Sequence, residues 1–217
     1  MSGVFANRAA AGRALAAVLA KMRLHDPVVL ALPRGGVPVA AEIAQRLEAP
    51  LDLVFVARIG VPFHQELAAA AVVDGKNAEL VVNQQVRGLA KVAQSYLESE
   101  AKRQIAEIER RRGAYLQGRP TVPIRGRTAI VVDDGIATGT TVRAVVQALR
   151  RRKPKTLILA VPVAPADTVK ALRAEVDELV CLETPDPFYA VGLHYRDFHQ
   201  VSDAEVVGLL GQMAEIG

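Results

Sequence analysis

The stretch Ala129-Ile-Val-Val-Asp-Asp-Gly-Ile-Ala-Thr-Gly-Thr-Thr141 constrains this chain more than any other. A short apolar run ends on two adjacent carboxylates and turns through small residues toward a helix start. Such a run fits a strand covered on both faces, as in a parallel sheet. Ligands of open parallel sheets bind outside the carboxyl ends of the strands. Asp133 and Asp134 would stand at such an end. Gly135 and Gly139 allow a tight turn. The hydroxyls of Thr138, Thr140 and Thr141, with unpaired amides at the helix start, make an anion site. The turn has no Gly-x-x-x-x-Gly-Lys and no Gly-x-Gly-x-x-Gly, so the two commonest phosphate-binding turns are excluded. Carboxylates beside a phosphate cradle suit a ligand with a phosphate at one end and hydroxyls or a metal nearby. A ribose 5-phosphate has that shape.

A second element repeats the design. Val28-Val-Leu-Ala-Leu-Pro-Arg-Gly-Gly-Val-Pro38 reads as strand, turn and helix start. The planar fork of Arg34 suits phosphate oxygens. Along the chain, strands and helices alternate. Helical spacing covers Asn7 to Met22, Val37 to Leu47, Thr141 to Arg151, Ala166 to Ala174 and Asp203 to Met213. Strands are expected at Val28 to Leu32, Leu51 to Ala57, Thr128 to Val132, Thr156 to Val163 and Glu178 to Leu182. Weaker strand candidates are Ala69 to Val73 and Leu80 to Asn83. Leu89 to Leu116 reads as one long helix. The alternation predicts an α/β fold with a mostly parallel central sheet flanked by helices. No loop has the composition of an interdomain linker, so residues 1–217 are expected to form one domain.

Val131-Val-Asp-Asp-Gly-Ile-Ala-Thr-Gly-Thr-Thr141 resembles the phosphoribosyl pyrophosphate (PRPP) motif of type I phosphoribosyltransferases. Arg34-Gly35-Gly36 resembles the family's pyrophosphate loop. The whole chain is similar to a bacterial subgroup, through Leu32 to Gly36, Arg58 to Gly75, the long helix and Phe188-Tyr-Ala-Val-Gly192. The resemblance implies the type I phosphoribosyltransferase fold with a long inserted helix and a small C-terminal hood at about 183–199. It implies Mg²⁺-dependent transfer of a 5-phosphoribosyl group from PRPP to a nitrogenous base or amine. Asp133 and Asp134 would hold the ribose hydroxyls and meet the metal indirectly. Ala137, Thr138, Gly139, Thr140 and Thr141 would hold the 5-phosphate. Arg34, Gly35, Gly36 and Arg58 would hold the pyrophosphate. Pro62 to Gly75 is the candidate closing loop.

Within that frame, Ala137 stands where relatives using 6-oxopurines usually carry Asp, which argues against that acceptor class without naming another. Glu66 is the loop candidate for general acid or base. Phe188 and Tyr189, in the aromatic-rich segment Glu183 to His199, are candidates for stacking on the acceptor. Family members commonly dimerise, so a homodimer is among the expected assemblies. A regulator that binds PRPP or a nucleotide without transfer is the competing expectation, because such regulators keep the motif.

Composition narrows the setting. Hydrophobic types are 51% of 217 residues, which excludes a disordered chain. One cysteine, Cys181, forbids an internal disulfide or a cysteine zinc cluster. No apolar run reaches the roughly 18 residues of a membrane span, and no signal-type segment opens the chain, so a cytoplasmic protein is expected. The net charge of +4 points to an anionic partner. Basic residues at helix ends complement helix dipoles, and no nucleic-acid reader motif is present. Nucleic acid is therefore not the expected anion.

Overall fold

The computed structural model describes residues 4–74 and 78–214, with Gln65, Glu66 and Ala214 described by backbone alone. Its elements run α1 (Arg8–Leu19), β1 (Pro27–Ala31), α2 (Gly36–Leu47), β2 (Leu51–Leu53), β3 (Val56–Val61), β4 (His64–Val73), β5 (Glu79–Val82), α3 (Gln84–Leu89) and α4 (Gln94–Leu116). They continue with β6 (Thr128–Val132), α5 (Thr140–Arg151), β7 (Thr156–Val163), α6 (Ala166–Arg173), β8 (Glu178–Glu183), a 3₁₀ turn at Val191–His194 and α7 (Asp203–Ala214).

The central sheet has the order β2-β1-β6-β7-β8, and every neighbouring pair in it is parallel. Alternate residues on β1 face opposite ways. Val29 and Ala31 join one core with Leu15 of α1, Ile43 of α2 and Leu210 of α7. Val28 and Leu30 join another with Leu149 of α5 and Leu172 of α6. Burial on both faces explains why these strands read as unbroken apolar runs. Each fully buried Leu or Ile contributes roughly 1.5–3 kcal/mol of burial energy.

Three expectations are corrected. Leu51 to Ala57 is not one strand. β2 ends at Leu53, and the amide of Val54 donates to the Ala31 carbonyl at 2.9 Å before the chain leaves for a second sheet. That sheet is antiparallel, in the order β3-β4-β5. Pro62 to Gly75, the candidate closing loop, is mostly strand. Through residue 73 it is the turn and return strand of a hairpin, with Phe63 at φ 65 in the turn; Gly75 lies outside the described residues. Ala70 to Val73 pairs along Val56 to Ile59, with a register shift at Ala69, so the backbone groups of the run are satisfied by a neighbour. The long helix begins at Gln94, after the short α3, because Lys91 takes a left-handed φ of 50 between them.

α4 keeps a narrow apolar stripe, with Leu97, Ala101, Ile108 and Tyr115 buried. It is anchored by one charged tie. Arg112 Nη1 donates to Asp74 Oδ2 at 2.6 Å, and Asp52 Oδ2 accepts from the amide of Val122 at 2.9 Å. Arg112 also lies 3.6 Å from Asp52. Both carboxylates are buried, so the guanidinium links the ends of β2 and β4 to α4.

Candidate active site

β1 and β6 are hydrogen-bonded neighbours, and the amide of Leu32 extends the pairing to the Val132 carbonyl at 2.9 Å. The turns that follow the two strands therefore stand side by side at the carboxyl edge of the sheet. The contact is close. A Cβ at Gly35 would lie 2.2 Å from Asp134 Oδ2, so only glycine lets this turn approach the carboxylate. Gly36 lies against the Val132 carbonyl in the same way.

The two aspartates are held differently. Asp133 Oδ1 accepts from the amide of Asp134 at 2.9 Å. Burial, and then the neighbouring Asp134 charge, push the Asp133 carboxyl well above its ordinary range. Burial also raises Asp134, opposed by the hydrogen bond and charge of Arg8. Arg8 Nε donates to Asp134 Oδ2 at 2.7 Å, and its Nη1 donates to the His199 carbonyl at 2.8 Å. The same guanidinium lies 3.8 Å over the Phe198 ring. The Tyr195 hydroxyl donates to the Asp134 carbonyl at 2.5 Å, and burial raises that phenol.

The turn from Gly135 to Gly139 delivers the chain to α5. Gly139 takes a φ of 73, a conformation that favours glycine, and no side chain caps α5. The first amides of the helix are left to meet a ligand. Thr138 Oγ1 and Thr140 Oγ1 stand 3.4 Å apart on the exposed side. Thr141, one residue on, is partly buried. The Thr168 hydroxyl donates to the Ala137 carbonyl at 2.9 Å, holding the turn from behind.

The remaining candidates are more dispersed. Arg34 Nη1 donates to Asp203 Oδ1 at 3.3 Å, and the Tyr115 hydroxyl donates to the same oxygen at 2.6 Å. Arg58 is exposed on β3 and lines a cavity of about 350 Å³ with Thr140 and Arg143. Glu66 lies on β4 by its backbone, and its side chain is outside what the structure describes. Phe188 is stacked on His194, with ring centroids 5.3 Å apart. Tyr189 is 74% exposed, so of the two it alone offers an open ring. Among the described residues no group of three His, Cys, Asp or Glu side chains is placed to hold a metal ion. No described helix is long and apolar enough to cross a membrane.

The family profile described as "Phosphoribosyl transferase domain" matches residues 4–197. The chain belongs to this family. A curated Mycobacterium tuberculosis (strain ATCC 25618 / H37Rv) protein, provisionally named phosphoribosyl transferase Rv0571c, is 44% identical over 207 residues. The match covers 95% of this chain and 46% of that protein, so the chain spans about half the length of the curated relatives it matches. The solved structure of TT1426 from Thermus thermophilus is similar with a TM-score of 0.85 and 41% identity, covering 98% of this chain and 99% of that one. AQ2163 from Aquifex aeolicus shares the fold at a TM-score of 0.50 and 10% identity, over 81% and 73% of the two chains.

The phosphoribosyl transferase domain thus brings Asp133, Asp134, Gly35 and Gly36 together at adjoining strand ends. Sequence reasoning missed the groups that hold them. Arg8 reads in the sequence only as a charge interrupting an Ala-rich segment, yet it is 7% exposed and paired to a residue 126 positions away. The sequence carries no signal that separates it from Arg13 of the same helix, which is exposed; only the fold buries Arg8. Gly35→Ala tests the close approach. The added methyl would lie 2.2 Å from Asp134 Oδ2, so the carboxylate or the turn must shift. The expected result is a loss of stability of about 1–3 kcal/mol by denaturant titration.

Proposed function

We propose that this domain transfers the 5-phosphoribosyl group of PRPP to a nitrogenous base or amine and releases pyrophosphate, acting as a cytoplasmic enzyme. The observation that carries the reading is the contact between the Gly35 backbone and the Asp134 carboxylate. It sets an Arg-Gly-Gly turn and an Asp-Asp turn on the same small volume, beside the uncapped start of α5. One ligand with a phosphate, two ring hydroxyls and a diphosphate matches all three features. Residues 1–217 act in this reading as one domain, because α1, β1, β3, α4 and α7 share one apolar cluster.

The roles follow from chemistry. The amides and hydroxyls from Ala137 to Thr141 bind the 5-phosphate at the positive end of α5. Asp133 and Asp134 accept from the 2′ and 3′ hydroxyls. The C1–oxygen bond to the diphosphate breaks, the oxygen keeps the electron pair, and the acceptor nitrogen bonds to C1 and loses a proton. The amides of Gly35 and Gly36, with Arg34 and Arg58, stabilise charge growing on the leaving group. Tyr189 offers a face to the acceptor, and Glu66 is the carboxylate proposed to take the proton.

The donor set suits Mg²⁺, since hard carboxylate oxygens stand where burial and mutual repulsion leave negative charge undercompensated. Two aspartates alone do not complete an octahedral shell, so Asp133 and Asp134 would hold the ion through ribose hydroxyls or water. When bound, Mg²⁺ neutralises charge on the diphosphate.

The test is pyrophosphate release from PRPP and Mg²⁺ against a panel of bases and amines. Release with one acceptor, abolished by Asp133→Asn with Asp134→Asn, is the expected result. PRPP binding with no turnover on any acceptor would instead make the chain a PRPP-binding regulator. A wild-type protein that does not bind PRPP ends both readings.

A further inference from the structure

Three guanidiniums converge beside the Pro33–Arg34 turn, and two of them belong to neither motif. Arg110 and Arg111, near the end of α4, line a cavity of about 220 Å³ together with Arg34, Tyr115 and Asp203. Two carboxylates serve the three. Glu107 accepts from Arg110 Nε and Nη2, both at 2.8 Å, and from Arg111 Nε at 2.9 Å. Asp203 accepts from Arg34. The arginine side chains are 67%, 57% and 37% exposed for Arg110, Arg111 and Arg34. Ion pairs at that exposure hold weakly and exchange readily for a better anion. A phosphoryl group is such an anion, because its oxygens match the guanidinium fork.

We propose that this cavity is an oxyanion pocket that takes a phosphoryl group of the diphosphate, with Arg110 and Arg111 as binding residues. The inference rests on the diphosphate reading of the Arg34-Gly35-Gly36 turn. Glu107 and Asp203 occupy the donors that phosphate oxygens would take, so each competes with the ligand. α4 thereby contributes to binding from outside the two motifs. Its polar face at this end is a wall of the site as well as a solvated surface.

Isothermal titration of pyrophosphate, with ribose 5-phosphate as a parallel probe, tests the pocket on the full chain at low salt. The Arg110→Gln, Arg111→Gln double variant is expected to weaken pyrophosphate about tenfold or more, which is ~1.4 kcal/mol per tenfold. Ribose 5-phosphate binding should not change. Glu107→Gln is expected to tighten pyrophosphate several-fold, a gain that structural damage cannot produce. Equal pyrophosphate affinity in the double variant, with ribose 5-phosphate still bound, overturns the pocket and leaves the transferase reading standing. So does a Glu107→Gln variant that binds pyrophosphate no better than wild type. A wild-type chain that binds neither probe overturns both.

Discussion

Arg8→Gln is expected to lower folding stability by about 3–5 kcal/mol, the usual cost of removing one partner of a buried ion pair. Arg8 donates to Asp134 and to the His199 carbonyl and covers the Phe198 ring. One substitution therefore leaves a partly buried carboxylate without its cation, a carbonyl without its donor, and an aromatic face uncovered. The damage should also reach function, because Asp134 would be free to leave the position that Gly35 fits. Urea denaturation of Arg8→Gln, Asp134→Asn and the double variant measures the coupling. The double variant should be more stable than the sum of the single effects predicts, since Asp134→Asn removes the carboxylate that Arg8→Gln leaves without its cation. Strict additivity would show that the pair does not act as a unit.

Asp133→Asn should have the opposite signature. It removes the carboxylate proposed to hold a ribose hydroxyl, and transfer activity should fall about 10²–10³-fold, the loss seen when one well-placed stabilising group is deleted. Stability should rise at neutral pH by about 1–3 kcal/mol, because a buried, undercompensated charge becomes a neutral isostere. Asn Oδ1 can still accept from the Asp134 amide. The pH dependence follows from the raised pKa of Asp133. A carboxyl raised on folding binds its proton more tightly in the native state, so it favours the native state below its unfolded pKa. That contribution is lost as pH rises through the folded pKa. The advantage of Asn over Asp should thus be present at pH 7 and shrink toward zero below about pH 4. Thermal melts of both proteins across that range measure it. An advantage independent of pH would mean that the carboxylate is not the source.

The two stabilities together separate site architecture from chemistry. Arg8 and Asp133 both stand beside Asp134, yet one substitution should weaken the fold and the other strengthen it. Functional sites commonly hold groups whose burial works against stability, and gain activity from that arrangement. Here burial works against the charge of both carboxylates, and Arg8, bonded to Asp134, offsets it most directly there.

Local physics was legible in the residues. β6 and β7 stand where their apolar runs begin and end, and α2 and α5 open at the two small-residue turns. The alternation of strands and helices was enough to predict the parallel central sheet. Both turns were visible because each depends on a few consecutive residues: a buried strand, a glycine, a helix start. The second sheet was visible in part: Ala69 to Val73 and Leu80 to Asn83 read as strands, and they fall on β4 and β5, which pair with each other, but the pairing with β3 was not legible. β3 and β4 are a hairpin whose pairing is set by partners across the turn, and the run of alanines from Ala68 to Ala71 carries little periodic signal.

What only the tertiary structure decided is how the motif residues are held. That Arg8 neutralises Asp134, that Tyr195 ties down its carbonyl, and that Asp203 engages Arg34 are facts about chain segments 126, 61 and 169 residues apart. No spacing rule reaches so far, since such pairs depend on which helix crosses which strand end and at what depth. The sequence by itself determined a strand-end turn with two carboxylates, followed by a helix start, and the family to which the chain belongs. The fold decided which carboxylate pairs with an arginine, which is left exposed to its neighbour's charge, and which arginines outside the motifs stand beside the Arg34 turn.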